Sequence, residues 1–222
     1  MLIEKESHLY AYTITRDYGF APNPFHGVCT LATCKPYVRA SANIGDWILG
    51  IGGCNMGDAS RKCILLMKVT EKCGFQEYWD NPGYSMKKPL RNGSSVRMLG
   101  DNIYHKDVNE NWIQEDSHHS NSDGTINLAN VKRDTDRSDR VLISDHFLYF
   151  GAAAISVDLN SIGYHRHIRS FKKVNLTESN NGGKLISSVV NTYRENLNMV
   201  NSDPCQFKDS HKRVDQDTRK IS

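Results

Sequence analysis

Residues 8–15 (HLYAYTIT) alternate between outward and inward types and are rich in β-formers, so the spacing predicts a first strand. Residues 47–51 (WILGI) are apolar without alternation and predict a buried strand. Residues 63–70 (CILLMKVT) are apolar nearly throughout, which predicts a central strand covered on both faces. Residues 141–150 (VLISDHFLYF) and 152–157 predict further strands joined at Gly151. The period then changes. Leu185, Ile186, Val189, Val190, Tyr193, Leu197 and Val200 recur every three or four positions, predicting a packing helix over 184–200 behind Gly182 and Gly183.

Polar and turn-forming stretches separate these runs. Residues 17–24 are broken by glycine and proline and predict a loop. The short apolar run 28–32 is expected to open a helix or turn. Gly45–Asp46 and residues 55–60 read as turns. Residues 74–99 are aromatic, charged and turn-rich, and residues 100–105 (GDNIYH) return to a short structured unit. Residues 109–139 are dominated by Asn, Asp, Ser and His, and a polar excursion of that length is functional or mobile. Residues 208–222 hold almost no apolar side chain and read as a disordered basic tail. Strand-and-loop units with one late helix predict a single α+β domain over 1–207, carrying an inserted polar segment and a C-terminal helix.

At 222 residues the chain can bury a real core. No run approaches the roughly 18 apolar residues that span a membrane, and MLIEKESHLY lacks the apolar stretch of a secretory signal. A cytoplasmic protein with no membrane partner is expected. In that setting the six cysteines read as free thiols, and the spacing of Cys29 and Cys34 does not match common zinc sites. Net charge is +3, concentrated at the end: residues 159–222 hold 11 Lys/Arg against 6 Asp/Glu. GIGG at 50–53 lacks dinucleotide-binding spacing and no phosphate-loop motif occurs, so no cofactor is expected.

The densest chemistry lies in residues 17–52, where Asp17, Asn23, His26, Cys29, Thr30, Cys34, Lys35, Arg39 and Asp46 are interleaved with glycines and prolines. With EYWDNPGYSMKKP, GDNIYH and VLISDHFLYFG, the stretches DYGFAPNPFHGVCTLATCKPYVR and GDWILGIGG resemble the family called nucleotide modification associated domain 2, over about residues 10–157. That resemblance implies association with enzymes that modify bases in DNA or nucleotides, in phage or mobile-element settings, without an established reaction. The order of a Gly-Asp turn, two apolar strands and an acidic aromatic segment is also similar to PUA-like barrels of the EVE, YTH and ASCH type. This second likeness implies a curved or barrel-like mixed sheet holding a modified base.

Three functional readings follow. In the first, a pocket built from 17–47 and 100–105, with the 144–151 strand as a wall, binds a base or nucleotide, alone or beside a base-modifying enzyme partner. Stacking faces come from Tyr78, Trp79, Tyr104, Phe147 and Tyr149, with Trp47 read as core. Asp17, Asn23, Asp46 and Asn102 would read the base edge, Lys35, Arg39, Lys87 and Lys88 would meet phosphates, Thr30 would cap a helix or hold phosphate, and Ser144 would stand on the wall. In the second, an enzyme uses His105 and Asp101 as acid and base, with Cys29 as nucleophile and Cys34 weighed beside it. In the third, the basic tail makes this a protein–protein module. His118 and His119, near Asp116 and Asp123, invite a metal reading. An adjacent pair in a polar loop suits one ion poorly, so a solvated loop and no metal are expected.

Overall fold

The computed structural model describes residues 2–165 and 170–213. Its elements run β1 (His8–Ile14), β2 (Cys29–Leu31), α1 (Pro36–Ser41), β3 (Trp47–Gly52), β4 (Cys63–Lys68), β5 (Glu71–Gly74), α2 (Phe75–Asp80), α3 (Ser95–Met98), β6 (Tyr104–Lys106), β7 (Trp112–Gln114), α4 (Leu128–Thr135), β8 (Arg140–Ser144), β9 (His146–Tyr149), β10 (Phe171–Asn175) and α5 (Asn181–Thr192). The main sheet has the order β10-β1-β3-β4-β9. β1 and β3 pair parallel, with Leu9 opposite Trp47, and the other pairs are antiparallel.

Both faces of this sheet are covered, which explains why its middle strands read as unbroken apolar runs. Successive side chains on a strand point to opposite faces. On one face Leu9, Ala11, Trp47, Leu49, Ile51, Leu66 and Leu148 pack with Leu185, Ile186, Val189 and Val190 of α5. On the other Tyr10, Tyr12, Ile14, Ile48, Leu65, Met67, Phe147 and Tyr149 meet Leu31, Val38 and Leu142, from β2, α1 and β8. A second sheet, β2-β8-β5, and the pair β6-β7 complete the strands. A third core, including Phe20, Phe75, Tyr78, Tyr104, Val131 and Ile143, joins the second sheet to the polar segment.

The fold is α+β, but no sheet closes into a barrel: β10 and β9 are the two edges of an open sheet. The chain leaves the second sheet at Asp145, so the run 141–150 is divided. Its first half pairs with β2 and β5, its second half with β4. Residues 152–157 form no strand, and Ile155 makes an isolated bridge to Cys63. The run 28–32 holds β2 instead of a helix or turn. No helix among the described residues is long and apolar enough to cross a membrane.

The late helix starts earlier and stops sooner than its apolar spacing predicts. The Asn180 side chain accepts from the Gly183 amide at 2.9 Å and caps α5, so both glycines lie inside it. Tyr193 leaves helical geometry, and Leu197 packs on the core from outside the helix. The polar segment 109–139 is ordered: it carries β7, a buried loop and α4, which Asn127 caps by accepting from Asn130 N–H. Of the basic tail, Ser210 is buried and Arg213 pairs with Asp116 at 2.7 Å, while Lys208 and His211 are exposed. Residues 214–222 lie outside the described residues.

Gly183 allows α5 to start against the preceding turn, because a Cβ there would stand 2.0 Å from the Thr177 carbonyl oxygen. Gly183→Ala should destabilise the protein by about 1–3 kcal/mol through this overpacking, read as a lower urea midpoint with unchanged slope.

Candidate active site

After β2 the chain turns a sharp corner through Thr33–Cys34–Lys35–Pro36. Cys34 (φ 56°) and Lys35 (φ 41°) are both left-handed, a conformation that costs a residue with a Cβ on the order of 1–2 kcal/mol. Pro36 then opens α1, where its missing N–H is no loss. The corner is held from outside by Asp134 of α4, whose Oδ1 accepts the Cys34 amide at 2.9 Å. It is held from beneath by Arg39, which is fully buried. Arg39 donates to the carbonyls of Cys34 (2.8 Å), Ser138 (3.1 Å), Arg140 (2.7 Å) and Asp134, tying α1, α4 and β8 together.

The polar segment brings the remaining parts. His119 Nε2 is 3.7 Å from Cys34 Sγ, and His119 Nδ1 is 2.9 Å from Asp134 Oδ2. A thiol, an imidazole and a carboxylate thus stand in line, with the carboxylate fixing the ring's orientation. Asp134 also accepts from the Tyr104 hydroxyl at 2.9 Å and from Arg133 Nε and Nη2 at 2.9 and 3.1 Å. Arg133 Nη2 straddles the His119 ring, 3.2 and 3.3 Å from its two nitrogens.

Burial alone would raise the carboxyl of Asp134, but His119 and Arg133 outweigh it and hold the group well below the usual carboxylate range. Burial would likewise raise the Cys34 thiol, yet Arg133 and His119 bring it down to about 7. His119 is pulled down by burial and pushed up further by Cys34 and Asp134, so its net shift is upward. The shifts of Cys34 and His119 are two sides of one attraction: a thiolate and an imidazolium there stabilise each other. The neighbouring His118 is the opposite case. Burial pushes it down to about 3, it meets the Lys212 carbonyl at 2.6 Å, and it packs against Tyr18 and Phe20. Both histidines line the same cavity, but only His119 faces the thiol and the carboxylate.

Cys34, His119 and Arg133 line a half-open cavity of about 510 Å³, together with Lys35, Arg16, Tyr18 and Phe20. Cys34, His119 and Asp134 also have ligand atoms within 4.8 Å of one another, a spacing a metal ion could use. The donor set fits poorly. Five donors already occupy the two oxygens of Asp134, which has about four lone-pair sites. The guanidinium of Arg133 sits where a cation would have to approach.

The other residues singled out from sequence fall into separate places. Lys35 is on the cavity wall, its Nζ donating to the Thr13 carbonyl at 2.8 Å. Tyr104 and Arg39 stand behind Asp134. Asn23, Thr30, Lys87, Asp101 and Asn102 form a buried network away from the cavity. There Asp101 accepts from Thr30 (2.6 Å) and Tyr78 (2.9 Å), Asn102 donates to the Tyr78 carbonyl, and Lys87 donates to Asn23, Val28 and Thr30. Burial pushes Lys87 down to about 8. Asp17 accepts from the Tyr149 hydroxyl (2.6 Å) and the Cys205 amide (3.0 Å). Asp46 accepts from the His8 and Asn43 amides, and Ser144 from the His146 amide. His105 pairs with Glu115 at 2.8 Å and stacks on Trp79, over which Lys88 also lies. Cys29 is fully buried and its thiol is pushed up to about 12.

Cys34 and His119 were each visible in the sequence, one as a second cysteine and one in a histidine pair. Arg133 and Asp134 carried no motif; the signal that could have found them is a buried acid on the inner face of an otherwise polar helix.

The family model for nucleotide modification associated domain 2 matches residues 6–211 of the chain. No curated protein and no solved structure matches it.

Alkylation of Cys34 by iodoacetamide, followed by peptide mass spectrometry, should rise with pH through a midpoint near 7. His119→Ala and Arg133→Met each remove one of the two groups that lower the thiol, so each should move the midpoint up, toward the ordinary value of about 8.5. A wild-type midpoint at or above that ordinary value would contradict the electrostatics described.

Proposed function

The chain belongs to the nucleotide modification associated domain 2 family, and from that premise we propose that it is a cysteine-nucleophile enzyme acting on a nucleotide or a nucleic-acid base. The observation that carries this reading is the Cys34–His119–Asp134 line at the wall of a cavity. A cavity of this size falls within the range of small-molecule sites.

In the proposed chemistry the Cys34 thiolate attacks an electron-poor carbon of the substrate. A sulfur–carbon bond forms, and the displaced electron pair moves to a substrate heteroatom. That atom, or a leaving group, takes the proton from His119 Nε2. Asp134 keeps Nδ1–H oriented and stabilises the imidazolium, as the third member of such a line does. Water then gives a proton to His119 Nε2 as it attacks the same carbon, and the sulfur–carbon bond breaks to return the Cys34 thiolate. Recognition of a base or nucleotide is the first step of this scheme, and the aromatic wall of Tyr18 and Phe20 supports it. The nucleophile is assigned to Cys34 in preference to Cys29, because a thiol at about 12 stays protonated. The acid–base role goes to His119 in preference to His105, which lies outside the cavity wall. A base-modification or phage–host conflict setting is the context that fits the family.

The test is turnover and covalent capture with nucleotides and oligonucleotides, with and without modified bases, followed by intact-mass spectrometry. A Cys34-linked adduct or converted substrate is expected. Cys34→Ala and His119→Ala, shown to be folded by circular dichroism, should each lose about 10⁴-fold or more of the rate. Turnover that survives Cys34→Ala sinks the proposal.

A further inference from the structure

Two loops that line the cavity touch one another. The Tyr18 ring lies 4.7 Å from that of His118, and the Phe20 ring 4.6 Å from that of His119. The chain beyond α5 ties both loops together from outside. It meets the first at Asp17: the Cys205 amide donates to Asp17 Oδ2, the Gln206 amide to the Asp17 carbonyl, and the Asp17 amide to Gln206 Oε1. Farther on it meets the second. The Lys212 carbonyl accepts from His118 Nδ1 at 2.6 Å. Arg213 grips Asp116 as a fork, with Nη2 2.7 and 2.9 Å from the two carboxylate oxygens and Nε 3.2 Å from one of them. Its Nη1 donates to the Ser122 carbonyl at 3.1 Å. Asp116 and Ser122 bracket His119 in the chain, so this one guanidinium holds both ends of the turn that carries the imidazole.

On its inner side the turn is held by the core. The His119 carbonyl accepts from Asn130 Nδ2 at 2.6 Å and from Gln114 Nε2 at 3.3 Å. Within the turn the Ser117 amide donates to Ser120 Oγ at 2.9 Å. Resting on the Cys34 reading of this site, we propose that Arg213 and Asp116 are positioning residues for it: their forked pair fastens the His119 turn from outside and keeps the imidazole within reach of the thiol. The 3.7 Å between His119 Nε2 and Cys34 Sγ is the long contact of the line, and a displacement of about 1 Å at such a contact can cost on the order of a hundredfold in rate. A two-pronged arginine–carboxylate pair fixes direction as well as distance. The Arg213 and Asp116 side chains are 20% and 40% exposed, and a partly exposed pair adds little to global stability. Its loss is therefore felt in the turn and not in the fold.

The test is the pH midpoint of Cys34 alkylation by iodoacetamide in the full chain carrying Arg213→Gln or Asp116→Asn. Each should raise the midpoint by about half a pH unit, because His119, one of the two groups that lower the thiol, loses its place. Direct action of the two charges on the thiol would split the pair: loss of a cation raises the midpoint and loss of an anion lowers it. Midpoints that move in opposite directions therefore overturn the inference. Arg213→Lys keeps the charge without the fork and should also raise the midpoint. The double variant should match the single ones, as for two halves of one contact, and a simple sum of two shifts overturns the inference. Urea midpoints should stay near that of the wild type. A lowered urea midpoint with the alkylation midpoint unmoved marks a merely structural pair and also overturns it. Failure of the Cys34 reading looks different: the wild type itself would then titrate at or above the ordinary value of about 8.5, and the inference would fall with it.

Discussion

The site depends on one buried carboxylate. Asp134 is removed from water, and a lone ion there would be too costly to keep. It survives because every lone pair is answered by a donor from a different part of the chain: the corner after β2, the loop before α4, the strand β6 and its own neighbour Arg133. Each of those donors is in turn fixed by the bond it makes. The position of Cys34, the ring plane of His119 and the direction of Arg133 are therefore not independent choices. They are the geometry in which one negative charge can be buried.

Arg39 plays the matching part for the backbone. Its guanidinium satisfies four carbonyls that converge where α1, α4 and β8 meet, a task suited to a planar group with several donors and poorly served by a lysine. Carboxylate and guanidinium together turn an irregular junction of short elements into a rigid one. The left-handed corner at Cys34 and Lys35 is strained, and such strain persists only where the surroundings over-determine it. Here the Cys34 amide is held by Asp134 and its carbonyl by Arg39, so the corner is fixed on both sides.

The main sheet was legible because it is buried on both faces and its strands carry nothing but apolar side chains at the centre. β1, β3 and β4 lie within a residue or two of their expected spans. The run 141–150 misled because an apolar stretch does not say which sheet it joins, and Asp145 marks the passage between two. The polar segment was hardest to read. Asn127, Asn130, His119 and Asp134 are polar because they bond one another inside the protein, whereas composition alone makes them look solvated. Asn23, Thr30, Lys87 and Asp101 were conspicuous for the same reason: their network of internal bonds gives them the residue types of a site. Arg133 and Asp134 are adjacent in sequence, but their meaning depends on Cys34, a hundred positions earlier, and no local pattern can encode that.

The distance along the chain between the thiol and the groups that ionise it has a bearing on the life of the protein before it is complete. Cys34 leaves the ribosome long before His119, Arg133 and Asp134 have been made. Until those residues arrive and fold around it, the cysteine is an ordinary protonated thiol. The lowering of this thiol thus arrives only with the closing of the fold, and the unfinished chain carries it in its ordinary, mostly protonated form.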